Sequence, residues 1–398
     1  MQFEVDPDVS EVVGLDVAPP PEGNFRKLTF LQQSVEEPFA DAWRERGVTA
    51  AVHLAFRLEP GRDRARERRV NIEGTRHFLE ACAASGAQTV CFVSSATVYG
   101  ATPDGPEVHY EGAQLRAREA FPYAYDKARS EELCYDFVKE HPDVALQIVR
   151  PAIVIGGEAD NYITRLLTRP TLFLPREADV PLQFVHVDDA TRAIFKLIKL
   201  RKFGVFNLAA DGALTLSQIA HLAERRCVRL PTFVLRFLAW LGWRLGWDWL
   251  SPVPPGFVDY CVHPWLVAAM KIKTEAYFLF RRDGPGAFLE YLEAHPRPGS
   301  GALTLPESPR LGGDEDTRED LDALPLPPPA GEEVAAEEEA AAEEEVAAEE
   351  EVAAEEEAAA EEEAAAEEEA AVEAPIVLGA EEEEESAEAG TSRSGSDG

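Results

Sequence analysis

The stretches TVCFVSSATVYG (89–100) and FPYAYDKARSEE (121–132) decide the fold and the chemistry that we expect of this chain. The first begins as an apolar strand and ends in hydroxyl side chains, and the second has the pattern of a helix. Tyr123 and Lys127 are four residues apart, so the phenol and the ammonium lie on one face of that helix. Ser95, at the end of the strand, can approach the same phenol. Such a set of groups can move the proton of an alcohol.

Short apolar runs alternate with helical patterns through the first 160 residues. Strands are predicted at 11–17, 49–56, 89–96 and 145–156, and helices at 36–47, 68–86 and 123–141. Apolar strands separated by helices favour a parallel sheet that is covered on both faces. The predicted fold class is therefore α/β, a Rossmann-like doubly wound parallel sheet that binds ligands at the carboxyl ends of its strands.

Charge and composition divide the chain into four segments. We expect a Rossmann-like domain at 1–156 that is incomplete at its N-terminus, a smaller α+β lobe at 157–300 with some elements returning to the sheet, a linker at 301–330, and a disordered Ala/Glu tail at 331–398. The tail has a net charge of −27 and the linker −5, which leaves −4 of the total −36 for residues 1–300. A folded part so close to neutral argues against a nucleic-acid binder.

Cysteine usage and hydropathy indicate the compartment. The five cysteines are widely spaced without a C-x-x-C motif, which is typical of reduced thiols in a cytoplasm. No metal site is predicted, and the start MQFEVDPDVSE has no secretory pattern. The apolar stretch 233–250 contains Arg236, Arg244 and Asp248, which disfavour a membrane span. We expect one or two amphipathic helices there and favour packing within the second lobe over contact with a membrane.

Six motifs follow one another in the order and spacing of a known family. They are HLA (53–55), NIEGT (71–75), SSATVYG (94–100), YAYDK (123–127), RPAIVIGG (150–157) and QFVHVDD (183–189). Together they resemble the extended short-chain dehydrogenase/reductases, in particular the NAD-dependent epimerase/dehydratase group that acts on nucleotide sugars. The resemblance covers roughly residues 11–295.

The resemblance implies catalytic roles for three residues. Tyr123 would be the general acid/base, and Ser95 would hold the substrate oxygen. A free tyrosine has a pKa near ~10, so we expect the Lys127 ammonium to favour the phenolate. The resemblance adds a hydrogen bond from that lysine to the nicotinamide ribose.

Asp16 indicates which dinucleotide is used. A carboxylate at the end of that strand accepts bonds from the adenosine ribose and repels a 2′-phosphate, so NAD is favoured over NADP. The resemblance assigns the remaining cofactor contacts to Ser34, Val35, Leu54, Ala55, Asn71, Tyr123 and Lys127. Ser34 stands where the family usually has an aspartate that bonds to adenine.

The substrate site is also implied by resemblance. Its expected members are Thr97, Tyr99, Arg150 and His186. Each of these residues could instead have a purely structural role, as a hydroxyl at a strand end, a ring in the core or a residue that supports the fold. The family also leads us to expect a homodimer through the helices that hold Asn71 and Tyr123.

The chain departs from the family at its beginning. The family opens with a strand and a G-x-x-G-x-x-G turn that binds the pyrophosphate, and neither is present in this sequence. By family length, about thirty residues are missing. Either the start is assigned too late or the protein has lost its cofactor site. We expect the sheet to lack its first strand, and the chain as written to be poorly stable and to bind NAD weakly or not at all.

Three functions remain open. The first is an NAD-dependent epimerase, dehydratase or reductase of a nucleotide-linked sugar. Ala96-Thr97 stands where dehydratases have an acid pair, which is closer to 4-epimerases. The second is an NAD(P)-dependent dehydrogenase of a hydroxysteroid-like alcohol, supported by the apolar stretch 233–250. The third is a non-catalytic, truncated Rossmann module whose acidic tail mediates interactions.

Overall fold

The computed structural model describes residues 2–59, 61–159 and 161–295. The predicted linker (301–330) and acidic tail (331–398) lie outside these residues. The helices are α1 (Gln2–Val5), α2 (Ala40–Arg46), α3 (Arg64–Arg68), α4 (Gly74–Ser85), α5 (Pro122–Glu140), α6 (Tyr162–Leu167), α7 (Val187–Lys199), α8 (Leu216–Leu222), α9 (Thr232–Leu245), α10 (Met270–Glu275) and α11 (Gly284–Ala294). A π-helical turn (Arg69–Glu73) joins α3 to α4, and 3₁₀ turns lie at Ala96–Tyr99 and Pro255–Cys261.

The strands are shorter than the helices and fall into several sheets. They are β1 (Val12–Asp16), β2 (Leu28–Gln32), β3 (Ala50–His53), β4 (Thr89–Val93), β5 (Val108–His109), β6 (Ala145–Pro151), β7 (Ile153–Ile155), β8 (Thr171–Pro175), β9 (Pro181–His186), β10 (Gly204–Leu208), β11 (Ala213–Thr215), β12 (Arg226–Leu230) and β13 (Leu266–Val267).

The central sheet is parallel and four-stranded, in the order β10-β6-β4-β3. Side chains of β4 alternate between its two faces, as a pleated strand requires. Val90 and Phe92 join a core with Phe78 of α4 and Phe137 of α5, whereas Cys91 joins a second core that α7 covers. Because helices bury both faces, the predicted doubly wound α/β fold is confirmed.

A separate parallel pair, β1-β2, flanks this sheet. Within the described residues, no ladder joins β1 to β3, so the pair and the central sheet are distinct sheets. The pair is held by side-chain contacts instead. Leu15 packs against the core that contains Phe92, and Val35, just after β2, touches the start of α4 at Gly74.

In the range 157–300, which we predicted to be a second lobe, the parallel pair β8-β12, α9 and the 3₁₀ turn Pro255–Cys261 contact one another, and α6 lines a cavity with them. Two elements of the range 157–300 belong to the central sheet instead. Strand β10 pairs with β6, and helix α7 covers one face of that sheet. The amphipathic stretch forms the single helix α9, which ends at Gly246 with φ of +76°. Among the described residues, no helix is long and apolar enough to cross a membrane.

A buried ion pair fastens α5 to β6. The Arg150 Nε and Nη2 atoms donate to the two carboxylate oxygens of Glu131, at 3.0 and 2.6 Å. The Ser94 hydroxyl donates to the same carboxylate, and Arg150 Nη1 also donates to the Tyr99 hydroxyl at 2.8 Å. Both charged side chains are almost fully buried, so removal of either partner strands a charge.

We therefore expect Arg150→Met to lower the free energy of unfolding by about 3–5 kcal/mol, because Glu131 stays buried without its cation. The double variant Arg150→Met/Glu131→Leu has no stranded charge and should recover most of that loss. Chemical denaturation of the three proteins measures both effects. Equal losses in the single and double variants would contradict this account.

Candidate active site

The sequence-predicted trio meets at the carboxyl end of β4. Ser95 follows the strand in extended backbone and caps the 3₁₀ turn, accepting a bond from the Thr97 N–H at 3.2 Å. The Thr97 hydroxyl also donates to the Ser95 oxygen, at 2.9 Å. Pro122 begins α5, which brings the Tyr123 phenol close enough to Ser95 for that side chain to lower the phenol pKa. Since the Ser95 oxygen accepts two bonds from Thr97, its own proton can point to the phenol.

The pKa of the Tyr123 phenol differs from what we expected from the sequence. Burial raises its pKa to about 12, against a smaller lowering effect of the Ser95 hydrogen bond. The expectation that Lys127 would favour the phenolate is therefore wrong for this conformation. The physical reason is that desolvation disfavours the charged phenolate, while the ammonium is aimed at another group.

Lys127 is a buried cation with unusual neighbours. Its Nζ donates to the Val93 carbonyl at 2.6 Å and lies 3.8 Å from the centroid of the Phe56 ring. Burial lowers its pKa to about 7, although the nearby Glu131 carboxylate acts in the opposite direction. Lys127 is therefore charged in only part of the molecules at neutral pH.

Phe56 is a site residue that the sequence reasoning missed. It makes an edge contact with the Tyr123 ring at 5.9 Å between centroids, besides its contact with Lys127. Its only sequence signal is its position directly after the HLA motif. Because Phe56 covers the ammonium, it contributes to the burial that lowers the pKa of Lys127.

The predicted cofactor residues lie along the carboxyl ends of β1, β2 and β3. Asp16 ends β1 with an exposed side chain that accepts the Ala18 N–H at 2.9 Å. Ser34 Oγ accepts the Glu36 N–H at 3.1 Å, and Val35 is buried against α4. Leu54 is largely exposed, and Ala55 packs partly against the core.

Asn71 lies deeper, within the π-helical turn. Its amide oxygen accepts the Arg57 N–H at 2.9 Å, and its amide nitrogen donates to Asp126 of α5 at 3.0 Å. Asp126 in turn receives two bonds from the Arg64 guanidinium. Asn71 thus ties the loop after β3 to the helix that carries Tyr123.

The four predicted substrate residues do not lie together. Thr97 adjoins Ser95 and lines a cavity of the second lobe. Tyr99 and Arg150 belong to the buried network of Glu131, where the Tyr99 hydroxyl also donates to Asn207 at 2.8 Å. His186 caps α7 by accepting the Asp188 N–H at 3.1 Å. Their present contacts are architectural, and substrate roles for them stay predictions.

The cavity beside Thr97 is the other feature that the sequence reasoning left unplaced. It has a volume of about 170 Å³ and is almost wholly apolar. Its walls include Leu172 and Leu174 of β8, Leu235 and Leu238 of α9, and Phe257. The hydroxyl of Tyr260, another wall residue, donates to the Thr97 carbonyl at 2.7 Å, which connects the cavity to the Ser95 turn.

Comparisons with known proteins agree with this architecture. A model of the NAD-dependent epimerase/dehydratase family matches residues 7–209. This chain belongs to that family. An uncharacterised protein of Mycobacterium tuberculosis is 29% identical over 241 residues, which cover 59% of this chain and 63% of that protein. The chain thus spans less than two thirds of the length of this curated relative.

Two further similarities are more distant. The structure of a UDP-glucuronic acid 4-epimerase from Bacillus cereus in complex with NAD has a TM-score of 0.54 at 17% identity, over 73% of this chain and 93% of that one. An Escherichia coli O157:H7 N-acetyl-α-D-glucosaminyl-diphospho-ditrans,octacis-undecaprenol 4-epimerase is 29% identical over 106 residues, which cover 25% of this chain and 28% of that protein.

The burial of Lys127 can be tested through the pH dependence of the stability of the protein. Its folded-state pKa of about 7 lies below the ordinary 10.5, so the unfolded chain binds more protons between these values, and the contribution of Lys127 to stability rises with pH across that window. We expect Lys127→Met to be more stable than the parent, by a margin that is constant below about pH 7 and shrinks towards pH 10.5. Thermal unfolding at several pH values measures this margin. A margin that grows with pH would contradict the burial of a charged Lys127.

Proposed function

We propose that this protein catalyses an NAD-dependent oxidation or reduction at a hydroxyl-bearing carbon of a nucleotide-sugar-like substrate. The observation that supports it is the contact between the Tyr123 phenol and the Ser95 hydroxyl, with Lys127 one helical turn away. In this proposal Tyr123 transfers the proton, Ser95 holds the substrate oxygen, and Lys127 supplies positive charge. Family membership supports the same reaction class.

The residues at both ends of the cofactor site fit NAD. The exposed Asp16 carboxylate can accept bonds from ribose hydroxyls, and Lys127 can donate to the second ribose. Bound NAD would supply the hydride acceptor. For the pyrophosphate, the described residues provide the unpaired edges of β1 and β3 and no glycine-rich turn. The fit to NAD is therefore judged from Asp16 and Lys127, at the two ends of the cofactor site.

The direction of proton transfer follows from the pKa of the phenol. With a pKa of about 12, Tyr123 is protonated at neutral pH and can donate a proton in the reductive direction. In the oxidative direction the phenol must first lose its proton. Its burial disfavours that loss, and the Lys127 ammonium, directed at the Val93 carbonyl, does not offset it in this conformation.

A second candidate substrate is favoured by the cavity. Its apolar walls suit a hydrophobic body better than a charged nucleotide, which supports an alcohol with a sterol-like or isoprenoid portion. The name of the E. coli relative describes a sugar linked through diphosphate to undecaprenol. A substrate of that kind would combine a sugar hydroxyl for Tyr123 with an apolar chain for the cavity.

Tyr162 offers an observation that separates the substrate classes. Its ring is buried next to Phe257, and within the described residues its hydroxyl has no hydrogen-bond partner. The hydroxyl is close enough to Tyr123 for the two phenols to influence each other, and its pKa is raised by burial. Since buried polar groups are normally paired, we infer that a substrate hydroxyl or phosphate bonds to Tyr162.

We expect Tyr123→Phe to lower kcat by about 10²–10⁴-fold, because the proton carrier is removed while the ring is retained. The matched control is Tyr125→Phe, two residues along α5, which should keep the parent rate. Turnover is measured at a large excess of NAD, because weak NAD binding is expected without the glycine-rich turn. NADH formation reports net oxidation of UDP-glucose or of a 3-hydroxysteroid, and appearance of the C4 epimer reports epimerisation of UDP-glucose. A Tyr123→Phe protein as active as its parent, or a parent that turns over neither substrate class, would contradict the proposal.

We expect Tyr162→Phe to raise KM for a sugar substrate by about tenfold, because one hydrogen bond is lost. KM for an apolar alcohol should stay unchanged, since its one hydroxyl is the reacting group held by Tyr123 and Ser95 and no second polar group is left for Tyr162. Tyr277→Phe, on an exposed residue, is the control. An unchanged KM for the sugar, with thermal stability equal to that of the parent, would remove Tyr162 from the site.

A further inference from the structure

The helix α9 has two apolar faces, and side chains of the described residues cover only one of them. Ala239 and Gly242 are buried, and Leu235 and Leu238 line the cavity. The opposite face is formed by the exposed side chains at positions 233, 236, 237, 240 and 244, which recur at helical spacing. We call Phe233, Arg236, Phe237, Trp240 and Arg244 the outer face of α9.

Large aromatic rings dominate this outer face. Phe233 is 75% exposed, Phe237 56% and Trp240 50%, and the Phe237 and Trp240 rings stack at 6.1 Å. Just beyond the helix, Trp247 and Trp249 stack at 6.0 Å, and Trp249 is 74% exposed. Exposed aromatic side chains on one face of a helix and on the turn that follows it are a sign of an interaction surface.

The turn that holds the two tryptophans is fixed to the rest of the protein. Arg62 pairs with the Asp248 carboxylate at 2.5 Å and donates to the Trp243 carbonyl at 3.2 Å. Arg169 donates to the Asp248 carbonyl at 2.8 Å. The aromatic rings beyond α9 are therefore presented from a braced backbone.

Charge separates the stretch that contains α9 from the rest of the chain. Residues 225–250 contain five arginines and one aspartate, a net charge of +4, whereas residues 1–300 as a whole have a net charge of −4. Two of the arginines, Arg236 and Arg244, lie among the rings of the outer face. Arg236 also pairs with Asp259 at 2.7 Å but stays half exposed.

We propose that the outer face of α9, together with Trp247 and Trp249, docks on an anionic phospholipid surface. Tryptophan and phenylalanine rings sit well at the boundary between head groups and acyl chains, and arginines attract the lipid phosphates. A 14-residue helix is about 21 Å long, too short to span the hydrocarbon core. The helix would lie in the plane of the surface.

A second copy of the chain fits this surface less well than a membrane does. A symmetric dimer brings the same patch of both subunits together. Arg236 and Arg244 of one copy would then approach the same arginines of the other, which is unfavourable. An anionic lipid surface can bury the aromatic rings and also attract the arginines.

The cavity lies next to the proposed docking surface. The same helix forms the cavity wall on its inner side, and Phe173 of β8 is both exposed and part of that wall. The cavity therefore reaches the surface beside α9. Docking would bring apolar molecules of the bilayer next to the cavity, but the docking itself does not depend on the proposed reaction.

The test is flotation of the full chain with vesicles of phosphatidylglycerol and, separately, of phosphatidylcholine. A salt concentration of about 0.15 M limits repulsion between the vesicles and the acidic segment 331–398, since charges more than about 8 Å apart are then largely screened. We expect the parent to float with phosphatidylglycerol and more weakly with phosphatidylcholine. Phe237→Ser/Trp240→Ser should lower the partition coefficient at least about tenfold, and Arg244→Glu should weaken binding to phosphatidylglycerol alone.

The matched control is Phe203→Ser/Leu279→Ser, which removes two exposed apolar side chains outside α9. Phe203 is 63% exposed and Leu279 77%. It should float like the parent, and thermal unfolding confirms that each variant is folded. The proposal is overturned if the parent floats with neither vesicle, or if the α9 variant floats like the control. A lipid-free dimer that only the α9 variant abolishes would also overturn it in favour of self-association.

Discussion

The docking of α5 on the carboxyl end of β4 is the constraint on which the site depends. Three ionisable side chains of this helix are buried, and each is paired with a different element. Asp126 bonds to Arg64, Glu131 to Arg150, and the third, Lys127, to a strand carbonyl. Because a stranded buried charge is costly, the helix has one favourable position and rotation, and that position brings Tyr123 to Ser95.

Much of the fold could be predicted from hydrophobic periodicity. The runs that become β3, β4 and β6 are apolar because both faces of the central sheet are covered. The strand Leu28–Gln32 was missed because it is short and half-buried in a two-stranded pair. The helix predicted at 68–86 is interrupted by a π-helical turn, which periodicity does not signal. Strand Arg226–Leu230 was missed because its exposed polar residues depart from an apolar run.

The candidate site was predictable only where its residues share a motif. Tyr123 and Lys127 were found by helical spacing and Ser95 by its strand end, because these are local patterns. Phe56 and Tyr162 reach the same site from distant elements, so no spacing in the sequence relates them to Tyr123. The phenol pKa was predicted in the wrong direction because burial is a property of the tertiary structure, and it outweighs the nearby ammonium.

The central claim is that one substrate oxygen lies between the Tyr123 phenol and the Ser95 hydroxyl. A crystal structure of the full chain, determined with NAD and a substrate that the protein turns over, measures this most directly. The account predicts that the reacting oxygen is within about 3 Å of both hydroxyl oxygens. A substrate bound in the apolar cavity or elsewhere, with its reacting carbon beyond hydrogen-bond reach of both groups, would contradict it.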